Sequence, residues 1–326
     1  MKAAAFTCCA VVVLGLTATM QAAYADPYSD ELDIQRTRLS AFIAILRAEI
    51  DAHGDAYARQ AQAKTAFDVS SMRLPNAWVV RVSPDHYQVQ ITPSYRLLAT
   101  YITDVDVIAS VDFSIMDCRT DYVAFLYRTL RAAGENGDNA QIPSPEGFFS
   151  SDSKCAAYVG RFPIPQQYGA GRDQVVDLIV ELAYLHELGH VQLQHSPVDI
   201  SGLPQVATAE SMRQFITLMR RSQDQENQAD LWGVARFVAI APNPYVMVNN
   251  AFFGFFMAFG GADCSNQFAQ DHPNGFQRYS RMVQYMNSLA AQTTNIPLDK
   301  KQQMTGIIQD MSKIAAKAQT LLHCSV

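Results

Sequence analysis

Beyond its first 25 residues the chain has no apolar run long enough to cross a bilayer, no excess of basic charge, no internal repeat and no low-complexity tract. Each absence excludes something. The longest remaining apolar stretch, AFFGFFMAFGG from Ala251 to Gly261, has eleven residues, where a spanning helix needs about 20. It reads as a buried helix or the wall of an apolar pocket, so the mature chain is expected to be soluble and to have no membrane span. Setting residues 1–25 aside leaves 24 basic against 31 acidic residues, a net charge of −7, which argues against nucleic acid or an anionic membrane as a partner. Cysteine is scarce as well. Cys118, Cys155, Cys264 and Cys324 remain, and none lies near the cluster of three histidines at 186, 190 and 195.

The first 25 residues have the layout of a secretory signal: Lys2, the apolar run AVVVLGLTA, and AYA ending at Ala25 as a small-x-small cleavage site. Cys8 and Cys9 precede the apolar run, whereas a lipid-bearing cysteine follows it, so no lipid anchor is expected. The protein is expected to be exported, to the periplasm or beyond. An even number of cysteines in an exported chain suggests two disulfides. Nearness in sequence favours Cys118 with Cys155 and Cys264 with Cys324 among the three connectivities.

The 301 residues after the signal suffice for one large domain, and their patterning is α+β with helix predominating. From Ser29 to about Lys64, Leu39, Phe42, Ile43, Leu46 and Ile50 recur at helical spacing, which predicts a helix or helix pair. The period then changes to two. AWVVRVS and HYQVQIT alternate around the turn-like SPD, predicting a β-hairpin over Trp78 to Thr92, with a helix at SYRLLATYI after it. Between Asp104 and Gln174 the pattern weakens and GENGDN, PSPEG and GAG mark turns, so this stretch reads as a loop-rich insertion pinned by a disulfide. The longest helical signature, DQVVDLIVELAYLHELGHVQLQ, is ended by Pro197. Further helices are predicted at Ala207 to Arg221, Gln223 to Ile240, Pro244 to Phe259, Gly275 to Ala291 and Asp299 to Leu322.

That longest helix carries three of the seven histidines. In HELGH, His186 and His190 are four apart and therefore sit one turn apart on one helix face, so two imidazoles can reach one ion. Glu187 adjoins that face, where its carboxylate can take a proton from metal-activated water. This is the zincin arrangement. With seven His and eight Glu in the chain, chance supplies HExxH in only about 0.4 per cent of such sequences, so an accidental pair on a solvated face is the minor reading.

A catalytic zinc takes three protein ligands and leaves one position open. The metzincin pattern would need Gly and His where this chain has Leu193 and Ser196, which excludes it, and His195 is one place short and precedes Pro197. His195 reads as a helix C-terminal cap or a surface residue. The stronger third ligand is Glu226 in ENQADLWG. On a helix, Glu226 and Asp230 share a face, so Glu226 completes a His₂Glu set and Asp230 can hold the other ring nitrogen of a ligand histidine, His186 for preference.

HELGH, then ENQAD, then DHPNGFQR from Asp271 to Arg278 resembles the zinc peptidases typified by the CAAX prenyl protease and the bacterial heat-shock protease HtpX. Upstream, LPNAWVVRV and HYQVQITPSYRLL resemble that family's hairpin. The likeness covers roughly residues 74–103 and 173–286. It implies a zincin-like fold with the hairpin beside the HExxH helix, one Zn²⁺ on His186, His190 and Glu226, and endopeptidase activity with Glu187 as general base. It implies further that His272 stabilises the oxyanion formed on the peptide carbonyl, with Arg278 bracing the loop or lying on a helix surface. The family's membrane substrates are not carried over to an exported chain, and the insertion at 104–174 has no identified counterpart. The expected function is thus hydrolysis of peptide bonds in exported or unfolded polypeptides. A zinc-fold chaperone or assembly protein that hardly cleaves is the alternative. A purely structural zinc site, closed by a fourth protein ligand, would have to recruit His195, since no cysteine is at hand.

Overall fold

The computed structural model describes residues 26–136, 141–197, 208–240, 250–261 and 273–292, with positions 302, 305, 306 and 309. The stretch read as a signal at 1–25, Cys264, His272, Cys324 and, apart from those four positions, the helix read at 299–322 lie outside the described residues.

Helix α1 (Pro27–His53) begins where its sequence says it should: Asp26 caps it by accepting from the Tyr28 N–H, and Pro27 occupies the first turn. Its buried stripe is Leu32, Leu39, Ile43, Leu46 and Ile50, each worth roughly 1.5–3 kcal/mol of burial. A short α2 (Ala56–Ala63), capped by Asp55, leads into β1 (Thr65–Val69), and β2 (Ala77–Ser83) and β3 (His86–Ile91) form the expected hairpin. The sheet order is β1-β3-β2, with β1 parallel and β2 antiparallel to β3. One edge of β2 is therefore unpaired within the described sheet.

Thr92 ties that hairpin to the next helix. Its Oγ1 accepts from the Asn76 N–H at 2.9 Å and from the Tyr95 N–H at 3.1 Å, so one hydroxyl closes the strand pair and caps α3 (Pro93–Val111). Helix α4 (Met116–Asn136) and α5 (Pro145–Ser151) precede α6 (Gly169–Gln192), whose residues from Val176 to Val191 are buried with few exceptions. A helix buried nearly all round belongs at the centre of a fold. Sheet, α1, α2 and α3 surround α6, and α7 (Ala209–Ile240) packs along it. Helices α8 (Asn250–Gly260) and α9 (Gly275–Gln292) close the remaining side by packing on α3, α4 and α7. The chain is predominantly helical with one small sheet, and among the described residues no helix is long and apolar enough to cross a membrane.

The structure corrects two expectations. The helices read separately at 207–221 and 223–240 are one continuous α7. Ser222 and Gln223 are polar, but neither breaks a helix as Gly or Pro does, and packing against α6 carries the helix through them. The stretch at 104–174, read as loop-rich, is largely helical: α3 runs on to Val111, and α4 buries Cys118, Tyr122 and Leu126 at a spacing of four. The rings of Phe148 and Phe149 from α5 lie 5.3 and 6.3 Å from that of Tyr122. Cys118 and Cys155 are disulfide-bonded across a separation of 37 residues, as their proximity in sequence suggested.

One buried group opposes this fold. Glu181 on α6 is only 5% exposed, and its Oε1 meets no hydrogen-bond partner among the described residues. Burial, helped by the charge of Asp177, pushes its carboxyl up to about 8. In the unfolded chain a glutamate ionises near 4.3, so as pH rises from there toward 8 the unfolded state loses its proton while the folded state keeps it. Stability falls across that window, by roughly 3–4 kcal/mol at pH 7. Glu181→Gln is expected to raise the urea midpoint at pH 7 and leave it nearly unchanged at pH 4. An equal effect at both pH values would show that Glu181 keeps an ordinary carboxyl.

Candidate metal centre

Helices α6 and α7 build the centre, and two glycines set how closely they approach. A Cβ on Gly189 would meet the Ala229 carbonyl oxygen at 3.1 Å, and one on Gly233 would meet the His186 backbone nitrogen at 3.1 Å. Contacts that tight require glycine or a displaced helix. Gly189 lies between the two histidines and Gly233 within a turn of Asp230, so HELGH and ENQADLWG are brought face to face.

Their facing side chains form a triangle. The Nε2 atoms of His186 and His190 are 3.0 Å apart, Glu226 Oε2 is 3.3 Å from His186 Nε2, and Glu226 Oε1 is 3.3 Å from His190 Nε2. His186 and Glu226 are buried and His190 is partly so. These three could hold a metal ion. Glu187 is also buried, with Oε1 3.9 Å from His186 Nε2, and lines the same cavity as the triangle. That cavity measures about 500 Å³. Asn76, Ala77, Trp78 and Val79 from the start of β2 form one wall, while Tyr95 with Phe252, Phe255, Phe256 and Phe259 forms an aromatic one. The run AFFGFFMAFGG thus supplies the apolar pocket wall expected of it.

Behind the triangle stands a second layer. Asp230 Oδ1 accepts from His186 Nδ1 at 2.8 Å, which directs Nε2 toward Glu226. Arg278 holds Asp230 with both arms, Nε to Oδ2 at 2.9 Å and Nη2 to Oδ1 at 2.6 Å. It reaches this point from the first turns of α9, whose N-terminus Asn274 caps by accepting from the Gln277 N–H at 2.8 Å. Arg278 is buried, so it is not a helix-surface charge. Burial alone would raise the Asp230 carboxyl; the Arg278 guanidinium and His186 override it and bring it down to about 2. Burial alone would depress the His186 imidazole, but Asp230 and Glu226 push it up to about 10. A proton and a divalent cation therefore compete for His186 Nε2.

Of the residues singled out in the sequence, His186, Glu187, His190, Glu226 and Asp230 converge, while His272 falls outside the described residues. His195 is not part of the triangle; its side chain lies against the far side of His190. Sequence reasoning missed the burial of Arg278 and the closeness enforced by Gly189 and Gly233. The signal for the glycines was their position within the two motifs themselves. No protein-family model, curated protein or solved structure matches this chain.

Proposed function

We propose that this protein is a zinc-dependent endopeptidase acting on extended or unfolded polypeptides. The observation that carries the reading is the triangle of His186, His190 and Glu226 with Glu187 beside it in one cavity. Ligand atoms at the bond lengths of tetrahedral zinc lie about 3.3 Å apart; here the two imidazole nitrogens are 3.0 Å apart and each lies 3.3 Å from one oxygen of the Glu226 carboxylate, within reach of a common ion. Two imidazoles and one carboxylate are also the donor set of several catalytic zinc sites, which leave a position for water.

His186 and His190 would hold the ion through Nε2 and Glu226 through its carboxylate. When bound, zinc lowers the pKa of a water molecule toward 7 and polarises the scissile carbonyl. Glu187 takes the proton from the attacking water and passes it to the leaving amine. Asp230, held by Arg278, keeps His186 in the tautomer that presents Nε2. By the resemblance drawn from HPNGFQR, His272 steadies the developing oxyanion. The substrate backbone adds as a strand along the unpaired edge of β2, whose first residues line the cavity. That mode selects chains whose own backbone is free, hence unfolded ones.

Metal removal tests the proposal. The purified mature chain is expected to cleave a denatured polypeptide, to lose at least about 100-fold of that rate after exhaustive chelation, and to regain it with one equivalent of Zn²⁺. If it binds zinc yet cleaves nothing, the zinc-fold binding protein becomes the better reading.

A further inference from the structure

Helix α6 ends in an unusual way for its sequence. No glycine follows Gln192; instead Gln194 takes φ 55°, in the left-handed region that a residue with a Cβ rarely adopts. With that turn made, the Gln194 N–H donates to the Val191 carbonyl at 3.2 Å and the His195 N–H to the His190 carbonyl at 3.0 Å. This is a Schellman motif. It folds His195 back onto the very residue whose carbonyl it caps.

The side chains then meet on the side of His190 that faces away from Glu226. His195 Nδ1 is 3.0 Å from His190 Nδ1, the rings stand at 75°, and His195 Nε2 is 3.3 Å from Gln228 Oε1 on α7. Only one proton arrangement uses every atom while leaving His190 able to bind a cation. Its Nε2 must carry the lone pair, so Nδ1–H donates to His195 Nδ1, and His195 Nε2–H donates to Gln228 Oε1. We propose that His195 is a positioning residue for the ligand His190, anchored by Gln228, as Asp230 is for His186. This rests on the reading that the triangle binds a divalent cation.

The two ligand histidines are thereby supported differently. His186 leans on a carboxylate that Arg278 neutralises, whereas His190 leans on a neutral imidazole and a neutral amide. A neutral partner fixes ring orientation and tautomer without adding negative charge, so the bound ion keeps more of its electrophilicity than a second carboxylate would allow. The same geometry excludes His195 as a fourth ligand, because its ring lies beyond the Nδ1 edge of His190 rather than the Nε2 edge.

The test is the dissociation constant for Zn²⁺, measured on the full mature chain by competition with a chromogenic chelator, with circular dichroism to check folding. His195→Ala is expected to weaken zinc binding about 10- to 100-fold. His195→Asn, whose Oδ1 falls near the position of Nδ1 and accepts a hydrogen bond, should regain most of the loss; His195→Lys, which can only donate, should not. Gln228→Ala should lose less, and its combination with His195→Ala no more than His195→Ala alone, since the two act in series. Wild-type affinity in His195→Ala, or Asn performing no better than Ala, overturns the positioning role while leaving the metal site intact. A wild-type chain that takes up no zinc overturns the metal reading itself, and this inference with it.

Discussion

Replacing Glu187 by Gln is expected to lower peptide hydrolysis by about 10²- to 10⁴-fold, the usual contribution of a general base, while bound zinc stays at one per chain. The separation of the two readouts comes from geometry. Glu187 lies 3.9 Å from His186 Nε2 and outside the group formed by His186, His190 and Glu226, so the amide removes a proton acceptor but no ligand. Glutamine is nearly isosteric, and the buried side chain keeps its volume. Rates on a denatured polypeptide, with zinc content by atomic absorption, decide the matter. Residual activity within tenfold of wild type removes Glu187 from the chemistry, whereas loss of zinc makes it a ligand. The same pair of proteins, applied to a mixture of exported proteins and followed by sequencing of new termini, would also define cleavage preference.

The second large effect is expected at Arg278. Its guanidinium is buried and pairs with Asp230 through two hydrogen bonds, and its Nη2 is 3.9 Å from Glu226 Oε2. Arg278→Met fills similar space but leaves the buried Asp230 carboxylate with His186 as its remaining charged partner, and removing one partner of a buried ion pair typically destabilises by about 3–5 kcal/mol. Urea unfolding at pH 7 measures it. Zinc affinity should fall as well, because an Asp230 no longer clamped by Arg278 holds His186 less firmly, and the loss of such a support weakens metal binding about 10- to 100-fold. Arg278→Lys keeps the charge but not the paired hydrogen bonds, and should fall between the two. A destabilisation below about 1 kcal/mol in Arg278→Met would mean that Asp230 is satisfied by other groups.

Much of the centre was legible because it depends on local periodicity. HELGH and ENQAD each place two ligating or supporting groups four residues apart on one helix, so the helix alone fixes their relative positions. The hairpin was legible for the same reason, with period two in place of 3.6. The features that escaped notice depend on contacts between segments distant in sequence. Arg278 looks like any charged helix residue until α9 is laid against α7, and Gly189 and Gly233 reveal their purpose only when two backbones come within contact. Strand β1 does alternate, with Thr65, Phe67 and Val69 inward, but five residues directly after a helix give too few repeats to stand out. Helix α7 was divided at Ser222 because polar residues interrupt an apolar stripe without ending a helix.

The open edge of β2 has a second consequence. Val80 and Val82 are exposed at 40% and 65%, on a strand whose outer backbone groups have no neighbouring strand in the described sheet. The edge proposed to take a substrate strand can equally take the same strand from another copy, so self-association at high concentration is the hazard of leaving it open. Arg81 between the two valines is the sort of charge that discourages edge-to-edge stacking, and its loss would be felt first in the protein's aggregation rather than in its activity.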